Sequence, residues 1–195
     1  MTPPSCYSDR LDRAIALATH AFRRVRRKGT QIPYLSHLLQ VMVHVAEAGG
    51  DEDQLIAAVL HDYLEDIEGA TADELERNFG PRVARLVVGL SDSTGEPKPP
   101  WRPRKEAYLA HLRAAPAELK LVSCADKLHN AQSIHRDLVA IGDAIWDRFT
   151  ASRDDTLWYY RSLVVALGDG WDSPLLARLT TEVAALHDRT GLPYP

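Results

Sequence analysis

Apolar positions along the chain recur at intervals of three and four instead of alternating; Ala and Leu are abundant, and Val, Ile and Thr are scattered. That period belongs to amphipathic helices, so the pattern predicts an all-α chain with no convincing strand. A first helix is expected from about Asp9 to Arg27, with Leu11, Ile15, Ala18 and Phe22 on its inner stripe and Gly29 as its stop. A second starts near Ser36, carries Leu38, Leu39, Val41, Met42 and Val45, and ends at Gly49-Gly50. Asp51 or Asp53 caps a third, which runs through AAVLHDYLED at positions 57–66 and breaks at EGAT. Thr71, followed three residues later by Glu74, has the form of a capping box; it opens a short helix that ends before Gly80-Pro81, and another helix follows to about Ser91. Residues 92–103, DSTGEPKPPWRP, hold four prolines and a glycine, which predicts a surface loop at the rim of a site, a candidate lid. Helices resume over 105–114, 116–137, 140–149, 155–167 and 174–190.

With 195 residues, 45% of them hydrophobic, the chain can bury one sizeable core, and one compact domain over 1–195 is expected. Its apolar runs stop far short of the ~20 residues needed to span a bilayer, and the N-terminus has no basic segment leading into an apolar core. The expectation is a cytoplasmic protein with no membrane partner. Cys6 and Cys124 are the only cysteines and suit neither a disulfide framework nor a thiolate metal site, so any metal must be held by nitrogen and oxygen. A net charge of −4 and a sequence pI near 6.0 argue against charge-driven binding to nucleic acid. RRVRRK, at 23–28, is a local exception with five cations in six positions; it reads either as a solvated helix end or as an anion-binding element.

Candidate chemistry concentrates in the third helix. On a helical wheel Leu55, Ile56, Val59, Leu60 and Tyr63 share one side, while Ala57, Ala58, His61, Asp62 and Glu65 lie opposite. Glu65 stands one turn above His61 and Asp66 one turn above Asp62, so four ionisable groups crowd one end. If that end is buried, a divalent cation is the economical compensation; an isolated His-Asp pair would otherwise be a solvated face. Two further stretches shift the reading. PYLSH places His37 at the start of the preceding helix, and Asp126 is embedded in the apolar LVSCAD, where an acid is expected to be buried and paired. Lys127 is adjacent but is expected to point about 100° away around the helix.

The series His37, His61-Asp62, Asp126 resembles the H…HD…D signature of the HD-domain metal-dependent phosphohydrolases. PYLSH, LIAAVLHDYLED, ELERNFGPRVARLVVGLSD and VSCADKLHNAQSI together resemble, in order and spacing, the hydrolase domain of RelA/SpoT-type enzymes and the stand-alone small alarmone hydrolases. The resemblance spans about residues 10–165. It implies a helical HD-domain bundle of about eight to ten helices, with helix 174–190 packed on it. It also implies removal of the 3′-pyrophosphate from ppGpp or pppGpp, a nucleotide substrate, and Mn²⁺ as cofactor, with Fe²⁺ or another divalent metal as alternatives. His37, His61, Asp62 and Asp126 match the four metal ligands, and two imidazoles with two carboxylates form a mixed N/O set suited to such cations. Glu65 and Asp66 match the Glu-Asp pair that orients the attacking water or relays its proton.

Arg27 and Lys28 resemble the basic pair upstream of the first ligand, beside base or phosphates. Asn130 and Ser133 match positions that contact nucleoside and phosphate, and Tyr160, in TLWYYR, matches a later contact that could equally be core packing. His129 reads as an outer or surface histidine, since Asp126 takes the ligand position. The chain departs from the family pattern at Leu38 (usually proline), Lys127 (often arginine) and Ile67 (often threonine), and the Lys28–His37 segment is one residue longer. These departures leave open an adenine alarmone or NADPH as substrate, or a nucleotide-sensing module without turnover. The end at Pro195 leads to the expectation of a stand-alone hydrolase without synthetase or regulatory domains.

Overall fold

The computed structural model describes residues 6–92 and 99–194; among them, all regular structure is helical apart from one isolated antiparallel bridge between Arg26 and Pro33. The chain groups into two compact units, Met1–Glu96 and Pro97–Pro195.

The first unit is arranged around α3 (Glu52–Leu60), against which α1 (Asp9–Ala21), α2 (Leu35–Glu47) and α6 (Pro81–Leu90) pack. Ile56, Ala57, Ala58, Val59 and Leu60 are all 0% exposed, so α3 is buried on every side and not along one stripe. Its start is set as expected: the Asp51 carboxylate accepts the N–H of Gln54, and the Gln54 side chain accepts the N–H of Asp51. Its end is not. The helix expected to continue to Asp66 stops at Leu60, and a separate turn, α4 (Tyr63–Asp66), follows. Thr71 caps α5 (Ala72–Phe79) by accepting the N–H of Glu74, while the Glu74 carboxylate receives the Tyr63 hydroxyl at 3.3 Å. Gly80, at φ +90°, makes the sharp turn from α5 into α6, where Pro81 occupies the first helical position.

The first helix is also shorter than its pattern predicts. It closes at Ala21, with the Phe22 N–H bonded to Ala18, and the chain then turns back on itself. Arg27 N–H donates to Ile32 O and Tyr34 N–H to Val25 O, each at 2.9 Å, with Gly29 at φ +69° near the tip. RRVRRK is therefore a hairpin-like turn and not a helix end. On a helix its cations would stack at spacings of three and four, where like charges repel, whereas the turn gives the same backbone groups partners.

In the second unit, α8 (Ala117–Ile141) is flanked by α9 (Arg153–Gly168) and α10 (Pro174–Thr190), and α7 (Trp101–Ala114) packs on α9. Helix α7 begins inside the segment expected to be a loop. Pro103 falls in its first turn, where a missing N–H leaves no bond unmade, and Arg104 N–H closes onto Pro100 O. Residues 93–98 of that segment lie outside the described residues. Over 140–149 the chain finishes α8 and forms a 3-10 helix, Gly142–Arg148, because Gly142 at φ +61° ends the α geometry. Helix α10 has the bounds its pattern predicts, and it packs on α8 and α9. Lys120, 2% exposed, donates its ammonium to Arg113 O at 3.2 Å and to Asp169 O, satisfying carbonyls at the ends of α7 and α9. Among the described residues no helix is long and apolar enough to cross a membrane.

Candidate functional site

The break between α3 and α4 falls on His61-Asp62. His61 keeps helical angles, Asp62 moves to φ −95°, ψ 3°, and the chain restarts with Glu65 and Asp66 N–H groups donating to Asp62 O at 3.2 and 3.0 Å. The His61 ring sits against the Ala58 carbonyl, with Nδ1 at 2.7 Å from the oxygen. A carbonyl can only accept, so Nδ1 carries the proton, and in the neutral ring Nε2 presents a lone pair. That lone pair faces Asp62: Nε2 lies 2.9 Å from Oδ2. His37, fully buried on α2, brings its Nε2 to 3.7 Å from the same oxygen, and the two imidazoles stand edge to face at 5.0 Å between centroids. The reading of His61 as part of a solvated face is overturned, since it is 3% exposed.

Imidazole nitrogens and a carboxylate oxygen converging in this way call for a positive centre. Divalent cations take N and O ligands at about 2.0–2.2 Å, which puts neighbouring ligand atoms about 3 Å apart. The His61–Asp62 separation of 2.9 Å matches that spacing, so the residues present fit a divalent cation held by nitrogen and oxygen. Cysteine plays no part: Cys124 is buried in α8, and burial pushes its thiol up to about 12, with Arg178 pulling weakly the other way.

Sequence reasoning missed Tyr34. Its hydroxyl donates to Asp62 Oδ2 at 2.6 Å, a length typical of a charge-assisted bond. The signal was available, because Tyr34 stands three positions before His37 within the same motif. Glu65, half-buried, accepts the N–H of Asp92 at 2.6 Å, while Asp66 is exposed. Arg27 is half-buried with its guanidinium 5.6 Å from the Tyr34 ring centre, and Lys28 is exposed in the same turn.

In the second unit Asp126 is 5% exposed in the middle of α8, as the apolar context predicts. Lys127 does not point away. Its long side chain folds back so that Nζ donates to Asp126 Oδ2 at 2.5 Å, and Asn130 Nδ2 donates to Oδ1 at 2.5 Å. Burial alone would lower the Lys127 ammonium, but Asp126, followed by Tyr159 and Tyr108, holds it well above the ordinary lysine value. Burial pushes the Tyr159 phenol well up against the opposing pull of Lys127. Ser133 donates to His129 O at 2.8 Å, His129 is half-buried, and Tyr160 is buried with its ring edge-on to Tyr159 at 5.9 Å.

Residues 14–157 match the family described as HD domain. The chain belongs to the HD domain family. Among curated relatives it is 35% identical over 126 residues to the mouse guanosine-3′,5′-bis(diphosphate) 3′-pyrophosphohydrolase MESH1, covering 63% of this chain and 68% of that one. It is 34% identical over 131 residues to the Escherichia coli K12 bifunctional (p)ppGpp synthase/hydrolase SpoT, covering 64% of this chain and 18% of that much longer protein. Its fold resembles that of a solved structure described as a metazoan ortholog of SpoT that hydrolyses ppGpp, with a TM-score of 0.75, 23% identity, and 99% and 100% of the two chains covered. It also resembles the Listeria monocytogenes protein lmo0812, with a TM-score of 0.69, 28% identity, and 76% and 96% covered. The all-helical HD-domain fold expected from the motifs is thus the fold observed.

Proposed function

We propose that this HD-domain chain hydrolyses the 3′-pyrophosphate of ppGpp and pppGpp, releasing GDP or GTP and pyrophosphate. In this reading Mn²⁺ is held by His37, His61, Asp62 and Asp126. The observation that carries it is the His61–Asp62 pair, two acceptors 2.9 Å apart with His37 beside them, in a chain 35% identical to a ppGpp hydrolase. Asp126 is the second carboxylate of the proposed set, buried in its own unit and oriented there by Lys127 and Asn130.

A bound divalent cation supplies Lewis acidity, lowering the pKa of water and drawing charge from a phosphoryl oxygen. The chain's residues supply the rest. The Ala58 carbonyl fixes the His61 tautomer, and Tyr34 fixes the Asp62 oxygen, so the ligand atoms are placed before substrate arrives. Glu65 accepts a proton from the attacking water, with the Asp92 N–H holding its other oxygen in place. Water adds to the phosphorus attached to the ribose 3′ oxygen, the P–O3′ bond breaks, and the proton passes to O3′ as pyrophosphate departs. Exposed Asp66 is suited to relaying that proton from Glu65 to O3′. Arg27 and Lys28 bind phosphate, and Asn130, Ser133 and Tyr160 line the nucleoside side.

Product analysis by anion-exchange chromatography tests this, with metal-stripped protein incubated with ppGpp, ppApp or NADPH, with and without Mn²⁺. The expected result is GDP and pyrophosphate from ppGpp only when Mn²⁺ is added. Intact ppGpp beside a cleaved alternative would move the assignment to that nucleotide. In Glu65→Gln, Mn²⁺ binding persists and turnover falls by about 10²–10⁴-fold, the usual range for a lost general base.

A further inference from the structure

We infer that Tyr34 is a positioning residue for the metal site, one that sets the carboxylate of Asp62 through its hydroxyl and ties that carboxylate to the basic turn at Arg27-Lys28. The inference rests on the metal-binding reading above and concerns the first unit alone. Tyr34 is delivered by the turn: its N–H donates to Val25 O at 2.9 Å, next to the Arg26–Pro33 bridge. Its ring is gripped by three neighbours. Phe22 stacks on it at 5.4 Å with the planes 15° apart, His37 meets it edge-on at 5.4 Å, and the Arg27 guanidinium carbon lies 5.6 Å from its centre.

The hydroxyl therefore has little freedom, and it reaches Asp62 Oδ2 at 2.6 Å across 28 positions of sequence. A carboxylate oxygen has two lone pairs. With one taken by the Tyr34 O–H, the other is turned toward His61 Nε2 at 2.9 Å and His37 Nε2 at 3.7 Å, where a cation would be held. Donors that hold a ligand in this way typically change metal affinity by 10–100-fold when removed.

The test is calorimetric titration of the metal-stripped full chain with Mn²⁺, comparing wild type, Tyr34→Phe and Phe22→Leu. Tyr34→Phe keeps the ring and its packing and removes only the donor; it is expected to weaken Mn²⁺ binding about 10–100-fold. Phe22→Leu loosens the ring and lowers the unfolding midpoint but keeps the hydroxyl, so Mn²⁺ affinity falls by less than in Tyr34→Phe. If Tyr34→Phe binds Mn²⁺ as wild type does, or if Phe22→Leu weakens binding as much, the hydroxyl has no positioning role and the inference is overturned. If wild type takes up no Mn²⁺, the metal reading itself fails and this inference falls with it.

Discussion

Two acids of the proposed ligand set reach similar ends by opposite means. Asp62 sits where a helix breaks: the backbone leaves helical angles there, and a tyrosine from another element holds its carboxylate. Asp126 lies inside an unbroken helix of 25 residues and is held by neighbours one and four positions along the same helix. The first arrangement depends on tertiary contact, the second on local sequence. A break lets two consecutive residues, His61 and Asp62, face one another, whereas on a continuous helix adjacent side chains diverge by about 100°. A continuous helix instead offers its carboxylate a partner one turn away, as Asn130 is to Asp126, and a lysine long enough to fold back.

Removing either acid is expected to have the largest effect. Asp62→Ala and Asp126→Ala should each weaken Mn²⁺ binding by more than the ~100-fold that bounds loss of an indirect partner, measured by calorimetry on stripped protein. If only one does so, the two acids are not equivalent ligands and the comparison breaks.

Next comes Lys127→Met, which strips the buried Asp126 of its cation while preserving the stem. In metal-free protein the loss should be about 3 kcal/mol, read by urea unfolding, because a buried charge has lost its partner. Added Mn²⁺ should stabilise Lys127→Met more than it stabilises wild type, because the cation replaces the lost partner of Asp126; damaged packing alone would give the two the same gain. A smaller cost, about 1–3 kcal/mol, is expected for Ala57→Leu, since α3 has no exposed side to take the added methylenes.

The smallest effect lies at the N-terminus of α3. The Asp51 carboxyl is held below the ordinary carboxylate range; its slight burial opposes this, but Arg82 and the Gln54 N–H prevail. Glu52 is held down chiefly by the Ser8 hydroxyl. A depressed carboxyl contributes stability above its unfolded pKa and loses it as pH falls through the folded value, so this contribution is present at neutral pH and disappears below about pH 4. Arg82→Gln should flatten that acid limb by a few tenths of a kcal/mol, because the pair is solvent-exposed.

Much of the fold was legible because helix signals are local. Asp51 with Gln54, Thr71 with Glu74, Gly80-Pro81 and the whole of α10 are set by residues within a few positions of each other. The failures share a cause. Periodicity carried the first helix through RRVRRK, although charge repulsion and the backbone partners around Gly29 favour a turn. Proline content suggested a loop through Pro103, although a first helical turn tolerates proline. The wheel divided α3 into two faces, although helices pack around it on several sides and leave neither face exposed.

By itself, then, the sequence determined the helical class, through the three-and-four spacing of apolar residues, and the nitrogen and oxygen character of any metal site, through residue type and the placement of its two cysteines. Only the tertiary structure decided that the helix would stop at Leu60, that the His61 lone pair would meet Asp62, and that Tyr34 would reach that carboxylate. Side-chain direction at a helix break follows from what the surrounding elements bury and which hydrogen bonds they offer, and those partners come from distant stretches of the chain.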